Sequence, residues 1–224
     1  MFNVIRTQPA PLSLAANKSY KEKDVIDELS LIFHGKCYLC EQDSISAPEV
    51  EHFKPHEKKK ALKFGWNNLY LVCRRCNGIK SNKHVGLLDC TNPGINVFEE
   101  IKHFAHSASV GEIIIKPTKS KPSQDVLKTV ELLRLCFSLE NTALRRISKV
   151  SLMDKILVEL NNFTPCRLIL ASRLSTQENI DEAKATLKKM CQIDYPFSVF
   201  WKWQVIEDVQ MNKYHPNLRG DLGF

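Results

Sequence analysis

The chain has 224 residues, of which 43% are hydrophobic and 25% are charged, the balance of an ordinary globular protein in water. The N-terminus does not show the charged and then apolar pattern of a secretory signal peptide, and no window approaches 18 apolar residues. We therefore expect neither secretion nor a membrane partner. We therefore expect a cytoplasmic protein of one domain or two small ones.

The formal net charge is +7, and it is concentrated in one stretch. From Glu51 to His84 there are nine Lys and Arg residues against two acidic residues. A local excess of positive charge of this size is what a phosphate-binding surface needs. For the lysine run at 58–60 taken alone, a solvated loop is an equally good explanation. The candidate nucleic-acid contacts in and beside the motifs described below are Lys54, Arg74, Arg75, Lys80 and Lys83.

The first third of the chain predicts an extended arm, a helix and a strand–loop–strand–helix unit. Residues 1–19 are proline-spaced, and Ser19-x-x-Glu22 can form a capping box before a helix that stops near Gly35. The expected order after that is a strand or hairpin at 45–55, a basic loop at 56–65, a strand at 66–72 and a short helix at 74–82.

The remainder predicts a loop-rich segment followed by helices. Residues 84–122 hold three of the eight glycines, and we expect one strand there, at Gly111–Lys116, before a linker that ends at Ser123. We expect a helical pattern from Gln124 onward, with a second helical segment at about Glu140–Leu160. Further helices are expected to begin at Thr164-Pro165, Ser175 and Pro196, and residues 211–224 look like a tail. The fold class is α+β, with one domain at 1–122 and a helical domain at 123–224.

Two cysteine pairs enclose the basic stretch. Cys37-x-x-Cys40 and Cys73-x-x-Cys76 are separated by 32 residues. The chain is long enough for a hydrophobic core without disulfides, and paired cysteines in a reducing compartment bind metal more often than they form bridges. Four thiolates at this spacing predict a closed tetrahedral Zn²⁺ site with a structural role, since no position is left for water.

Three polar residues recur in a fixed order around this interval. His52 lies in Glu51-His52-Phe53-Lys54-Pro55, Asn68 in Trp66-Asn67-Asn68-Leu69, and Asn77 directly after Cys76. Each alone is a weak signal, because single histidines and Asn-Asn turns are most often structural. Together with the cysteine pairs and the arm from Ile5 to Leu14, they resemble the bacterial HNH endonucleases of retron and Septu anti-phage systems, over roughly residues 1–100.

The resemblance implies a ββα-metal site with a role for each residue. His52 is then the general base that activates water, and Asn68 braces the loop beside it. Asn77 on the helix holds a catalytic Mg²⁺ or Mn²⁺, with Glu51 as the acidic ligand at a position where Asp is more common. Amide and carboxylate oxygens are suitable ligands for these ions.

The resemblance also implies an ATPase partner of the ABC/SMC-like class and a target of DNA, or of host tRNA in some systems. A zinc module that binds nucleic acid without cutting it is the alternative, and the order His52, Asn68, Asn77 argues against it. We further expect the region 124–224, with Trp203 as an aromatic anchor, to dock onto the ATPase or onto a second copy of the chain.

Overall fold

The structure, a computed structural model, describes residues 1–105, 112–138 and 149–224. Its helices are α1 (Leu12–Ala15), α2 (Lys23–Ile32), α3 (Lys60–Lys63), α4 (Arg74–Lys80), α5 (Val97–Glu100), α6 (Gln124–Ser138), α7 (Lys149–Leu170), α8 (Gln177–Met190), α9 (Ser198–Glu207), α10 (Val209–Tyr214) and α11 (Leu218–Leu222). Its strands are β1 (Pro48–His52), β2 (Leu69–Cys73), β3 (Ile101–Phe104) and β4 (Ile114–Pro117). The predicted α+β class is confirmed.

A two-stranded antiparallel sheet and one helix form the centre of the first half. β1 pairs with β2 in a register that sets Glu51 opposite Tyr70 and His52 opposite Leu69. Every residue of β2 is buried, which explains its near-continuous apolar sequence. α4 begins directly after β2, and the Sγ atom of Cys73 accepts the first-turn hydrogen bond from the Cys76 amide. The predicted strand–loop–strand–helix order is therefore observed.

The N-terminal arm is packed into the protein. Met1, Phe2 and Val4 are buried: the Met1 ammonium group pairs with Glu41 at 2.7 Å, and the Val4 amide donates to the Cys90 carbonyl at 3.0 Å. The buried residues of α2 lie at 25, 29 and 32, in helical spacing. The predicted capping box is wrong, because Glu22 occupies the N-cap position and makes no side-chain capping bond.

A second antiparallel pair, β3 with β4, lies outside the first sheet. β3 was not predicted, since its four residues Ile-Lys-His-Phe are too short to show a clear period. The predicted strand at Gly111–Lys116 corresponds to β4, which begins at Ile114, while Gly111 lies outside the described residues.

The C-terminal helices differ from the prediction at two of their boundaries. α7 runs through Pro165, so the predicted new helix at Thr164 is wrong: Phe163 and Cys166 on either side are buried and hold one continuous helix. The predicted start of the preceding helix, at Glu140, lies outside the described residues. α8 is capped by Thr176, one residue after the predicted capping serine.

The predicted tail is folded. α10 and α11 occupy most of residues 209–222 and bury Met211, Leu218 and Leu222. Among the described helices, none combines the length and hydrophobicity that a bilayer crossing requires.

Trp203 is an internal residue, contrary to its predicted role as a docking anchor. It is 6% exposed, and its ring lies 5.1 Å from that of Phe98 and beneath the ammonium group of Lys102. The aromatic enrichment of α9 is therefore explained by the core.

Contacts cross the predicted domain boundary. The Leu88 amide donates to the Thr129 hydroxyl at 2.8 Å, and the Lys36 ammonium group donates to the Tyr195 carbonyl at 2.9 Å. The division at residue 122 stays a prediction.

Candidate functional site

The four predicted zinc ligands come together. The Sγ atoms of Cys37, Cys40, Cys73 and Cys76 all lie within 4.8 Å of one another, and all four residues are buried. The first pair sits on the turn after α2 and the second at the junction of β2 with α4. Four thiolates fit Zn²⁺ as a closed structural site, which would tie α2 to the central hairpin.

An open cleft of about 530 Å³ lies between β1 and α4. The residues that line this cleft include Tyr20, Glu49, His52, His56, Glu57 and Asn77. The hairpin and α4 thus place the predicted base and the predicted metal-binding amide on one cavity.

His52, the last residue of β1, has one defined tautomer. Its Nε2 atom lies 3.0 Å from the carbonyl oxygen of Lys63. Because a carbonyl oxygen only accepts hydrogen bonds, Nε2 carries the proton and Nδ1 is the proton acceptor of the ring. Partial burial lowers the pKa of His52 below its usual value, so the imidazole is neutral at neutral pH.

Two rings hold the His52 imidazole in place. The Tyr20 and His56 rings each lie edge-on with centroids 4.6 Å from that of His52. His56 Nδ1 accepts a hydrogen bond from the Lys58 amide at 3.1 Å. Neither Tyr20 nor His56 was predicted to belong to the site, because neither lies in a recognisable motif, and their contact with His52 depends on the fold.

Asn68 makes the loop contacts that its predicted bracing role requires. Its Oδ1 atom accepts from the Lys54 amide at 2.7 Å, and its Nδ2 atom donates to the carbonyls of Lys54 at 2.8 Å and Leu62 at 2.9 Å. Leu62 precedes Lys63, whose carbonyl holds His52. Asn68 is therefore linked to the predicted base through the backbone of residues 62–63.

Glu51 is enclosed rather than open to a metal. It is 4% exposed, its Oε2 atom lies 3.2 Å from the Lys80 ammonium group, and the Tyr38 hydroxyl donates to its Oε1 atom. Burial raises the pKa of Glu51 to about 7, against the lowering effect of Lys80. The Lys80 ammonium group also donates to the His52 carbonyl at 3.1 Å. The pair supports the end of β1 from within the core.

The Asn77 side chain contacts the carboxylate of Glu49 and not that of Glu51. Its Nδ2 atom lies 2.6 Å from Oε2 of Glu49, two residues before Glu51 on β1. Both residues are partly exposed in the cleft. Glu49 was missed in the sequence because no motif marks it.

The predicted nucleic-acid contacts divide into two groups. Lys54, Arg74 and Lys83 are exposed. Lys80 is fully buried in its ion pair, and Arg75 is 4% exposed and donates to the Cys136 carbonyl. The predictions that Lys80 and Arg75 contact nucleic acid are wrong, since a buried cation that already donates to a protein acceptor cannot reach a phosphate.

Comparison with known proteins agrees with this geometry. Residues 37–83 match the HNH endonuclease family. The chain is similar to the Septu protein PtuB of Bacillus mycoides (strain KBAB4), at 28% identity over 129 aligned residues. That alignment covers 48% of this chain and 39% of the relative, so the chain spans less than half of the length of the protein it matches.

Proposed function

We propose that this protein is a metal-dependent endonuclease that hydrolyses phosphodiester bonds, with DNA as its target, because residues 37–83 match the HNH endonuclease family. The observation that carries the proposal is the hydrogen bond between Nε2 of His52 and the Lys63 carbonyl. It leaves Nδ1 as the proton acceptor of a ring that lines an open cleft. A module that only binds nucleic acid has no need of such a base.

Each residue of the site has one task in this reaction. His52 accepts the proton of the attacking water through Nδ1. Asn68 keeps the 62–63 backbone in the position that orients His52. The exposed cations Lys54, Arg74 and Lys83 attract the phosphate backbone.

The amide of Asn77 and a carboxylate of β1 are the groups that would hold a divalent cation. Both are oxygen donors that suit Mg²⁺ or Mn²⁺, and Asn77 lines the same cleft as His52. When bound, the cation neutralises charge on the scissile phosphate and on the leaving oxygen. The cysteine cluster is a separate structural zinc site.

The similarity to a Septu protein supports a biological setting. We place this nuclease in an anti-phage defence system in which an ATPase of the ABC/SMC-like class controls it. The test is co-purification with the products of neighbouring genes, with phage plating efficiency compared between the unmodified system and one carrying His52→Ala. Loss of protection in the variant is the expected result.

The activity itself is tested by offering the purified protein several substrates. Plasmid, linear duplex, single-stranded DNA and tRNA are incubated with and without added Mg²⁺. We expect cleavage of DNA only in the presence of Mg²⁺. Cleavage of tRNA alone would assign the site to RNA, and binding without cleavage of any substrate would favour the non-catalytic zinc module.

A further inference from the structure

The His56 ring packs against that of the predicted base and lines the same cleft. The ring centroids of His52 and His56 are 4.6 Å apart, and the two ring planes are inclined by 62°. Both residues are half-buried, and both line the cleft between β1 and α4. A phosphodiester placed for attack by a water on His52 would therefore lie within reach of His56.

The proton of the neutral His56 ring has a defined position. The Nδ1 atom of His56 accepts a hydrogen bond from the Lys58 amide at 3.1 Å. Because a ring nitrogen that accepts a hydrogen bond carries no proton, the proton of the neutral ring is on Nε2. Within the described part of the chain, no group accepts a hydrogen bond from this Nε2 atom. It is therefore a donor that is available to a ligand.

The turn that follows His56 holds the ring in this state. Glu57 and Lys58 have φ angles of 47° and 64°, in the left-handed region that residues with a Cβ atom disfavour. These two residues bring the Lys58 amide back to the His56 ring, and the Lys59 amide donates to the His56 carbonyl at 2.7 Å. Backbone strain of this kind clusters at functional sites. Here it accompanies the contact that fixes a tautomer in the cleft.

The two histidines offer complementary groups. The Lys63 carbonyl occupies Nε2 of His52 and leaves Nδ1 as a proton acceptor, whereas His56 has Nδ1 occupied and Nε2–H available. Phosphate oxygens are anionic acceptors that form strong hydrogen bonds with side-chain donors. The exposed residues Lys21 and Lys58 line the same cleft and favour the approach of a phosphate.

We infer that His56 is a second residue of this site that touches the substrate, and that its Nε2–H donates a hydrogen bond to a non-bridging oxygen of the scissile phosphate. The inference rests on the proposed endonuclease function and gives His56 a task other than proton abstraction. His56 keeps its proton throughout the reaction. A donor that is already held in place stabilises the negative charge that develops on this oxygen during attack.

The test is steady-state plasmid cleavage in Mg²⁺ by the full zinc-loaded chain and by two variants at position 56. His56→Phe keeps a ring against His52 but has no N–H donor, whereas His56→Gln lacks the ring but supplies an amide N–H. We expect His56→Phe to lower kcat about tenfold, as for one hydrogen bond to a charged acceptor, with little change in KM. His56→Gln should keep most of the unmodified rate.

A ring that only packs against His52 predicts the reverse order, with His56→Phe active and His56→Gln impaired. Glu57→Gln, from the same turn, is the control and should cut as the unmodified protein does. His56→Phe at the unmodified rate, or His56→Gln as slow as or slower than His56→Phe, overturns the inference and leaves the proposed nuclease intact. An unmodified protein that cuts no nucleic acid would overturn both.

Discussion

The Nε2 atom of His52 lies 3.0 Å from the carbonyl oxygen of Lys63, and this contact links the predicted base to the segment between the two strands of the first sheet. The Lys63 carbonyl belongs to a turn whose neighbouring carbonyl, that of Leu62, accepts a hydrogen bond from Asn68. The buried amide of Asn68 thus fixes the backbone that fixes the tautomer of His52. Under the proposed mechanism, Asn68 contributes by positioning His52.

Asn68→Ala should destabilise the protein and slow cleavage. The substitution removes three hydrogen bonds and leaves the Lys54 amide and the Leu62 carbonyl without this partner. At about 1 kcal/mol for each bond, the free energy of unfolding should fall by about 3 kcal/mol. Urea denaturation measures this, with the exposed neighbour Asn67→Ala as control. A variant as stable as the control would contradict the bracing role.

Zinc removal should unfold the region around the cysteine cluster. Cys37→Ser breaks a complete set of four buried thiolates, whereas Cys191→Ser changes a buried thiol outside the set. Native mass spectrometry should find one zinc per chain in the unmodified protein and in the Cys191 variant, and none in the Cys37 variant. The idea is wrong if a metal-free protein with four reactive thiols at these positions stays folded.

Lys83→Ala should weaken nucleic-acid binding, whereas Lys80→Ala should lower stability, although the two lysines are only three residues apart. Lys83 is exposed, so its loss should weaken duplex binding and reduce the slope of log affinity against log salt by about 1. Lys80 is buried against Glu51, so its loss leaves a carboxylate without its ion-pair partner and should cost about 3–5 kcal/mol of stability. Fluorescence anisotropy and thermal unfolding measure the two effects. A stable Lys80 variant with a reduced salt slope would return Lys80 to the binding surface.

His103 should make folding stability depend on pH. Its ring is buried against Phe137, its nitrogens have no hydrogen-bond partner among the described residues, and burial lowers its pKa to about 3 from the usual 6.5. Below 6.5 the unfolded chain binds the proton and the folded chain does not, so stability falls as the pH falls toward 3. Between about pH 7.5 and about pH 5 the expected loss from this group is on the order of 2 kcal/mol.

His103→Leu should remove that part of the acid sensitivity. Chemical denaturation at the two pH values measures it, and the same substitution at the partly exposed His84 is the control. Equal pH dependence in the unmodified protein and in the His103 variant would show that other groups cause the loss.

The sequence predicted the parts of the site that lie in short local patterns. The cysteine pairs, the hairpin and α4 follow from spacing and strand propensity, and the structure has them where expected. Whether a lysine side chain points into the core or into solvent is not determined by the local sequence. Lys80 and Lys83 look alike in the sequence, and only the packing of α4 on β1 buries Lys80 against Glu51.

The same limit applies to Glu49 and Trp203. Glu49 becomes part of the site because antiparallel pairing and the following helix bring it to Asn77, 28 residues away. Trp203 was predicted to be a docking anchor, but Phe98 and Lys102 from an earlier segment cover it. Contacts between distant segments decide such cases, and a single sequence carries no direct signal of them.

The most direct test of the central claim is the initial rate of plasmid cleavage in Mg²⁺ by His52→Ala compared with the unmodified protein. Loss of the general base should lower the rate by about 10²–10⁴-fold, while zinc content and duplex binding stay unchanged. His56→Ala, which removes a ring packed against His52, should slow cleavage much less. A His52→Ala protein that cuts at the unmodified rate would contradict the account.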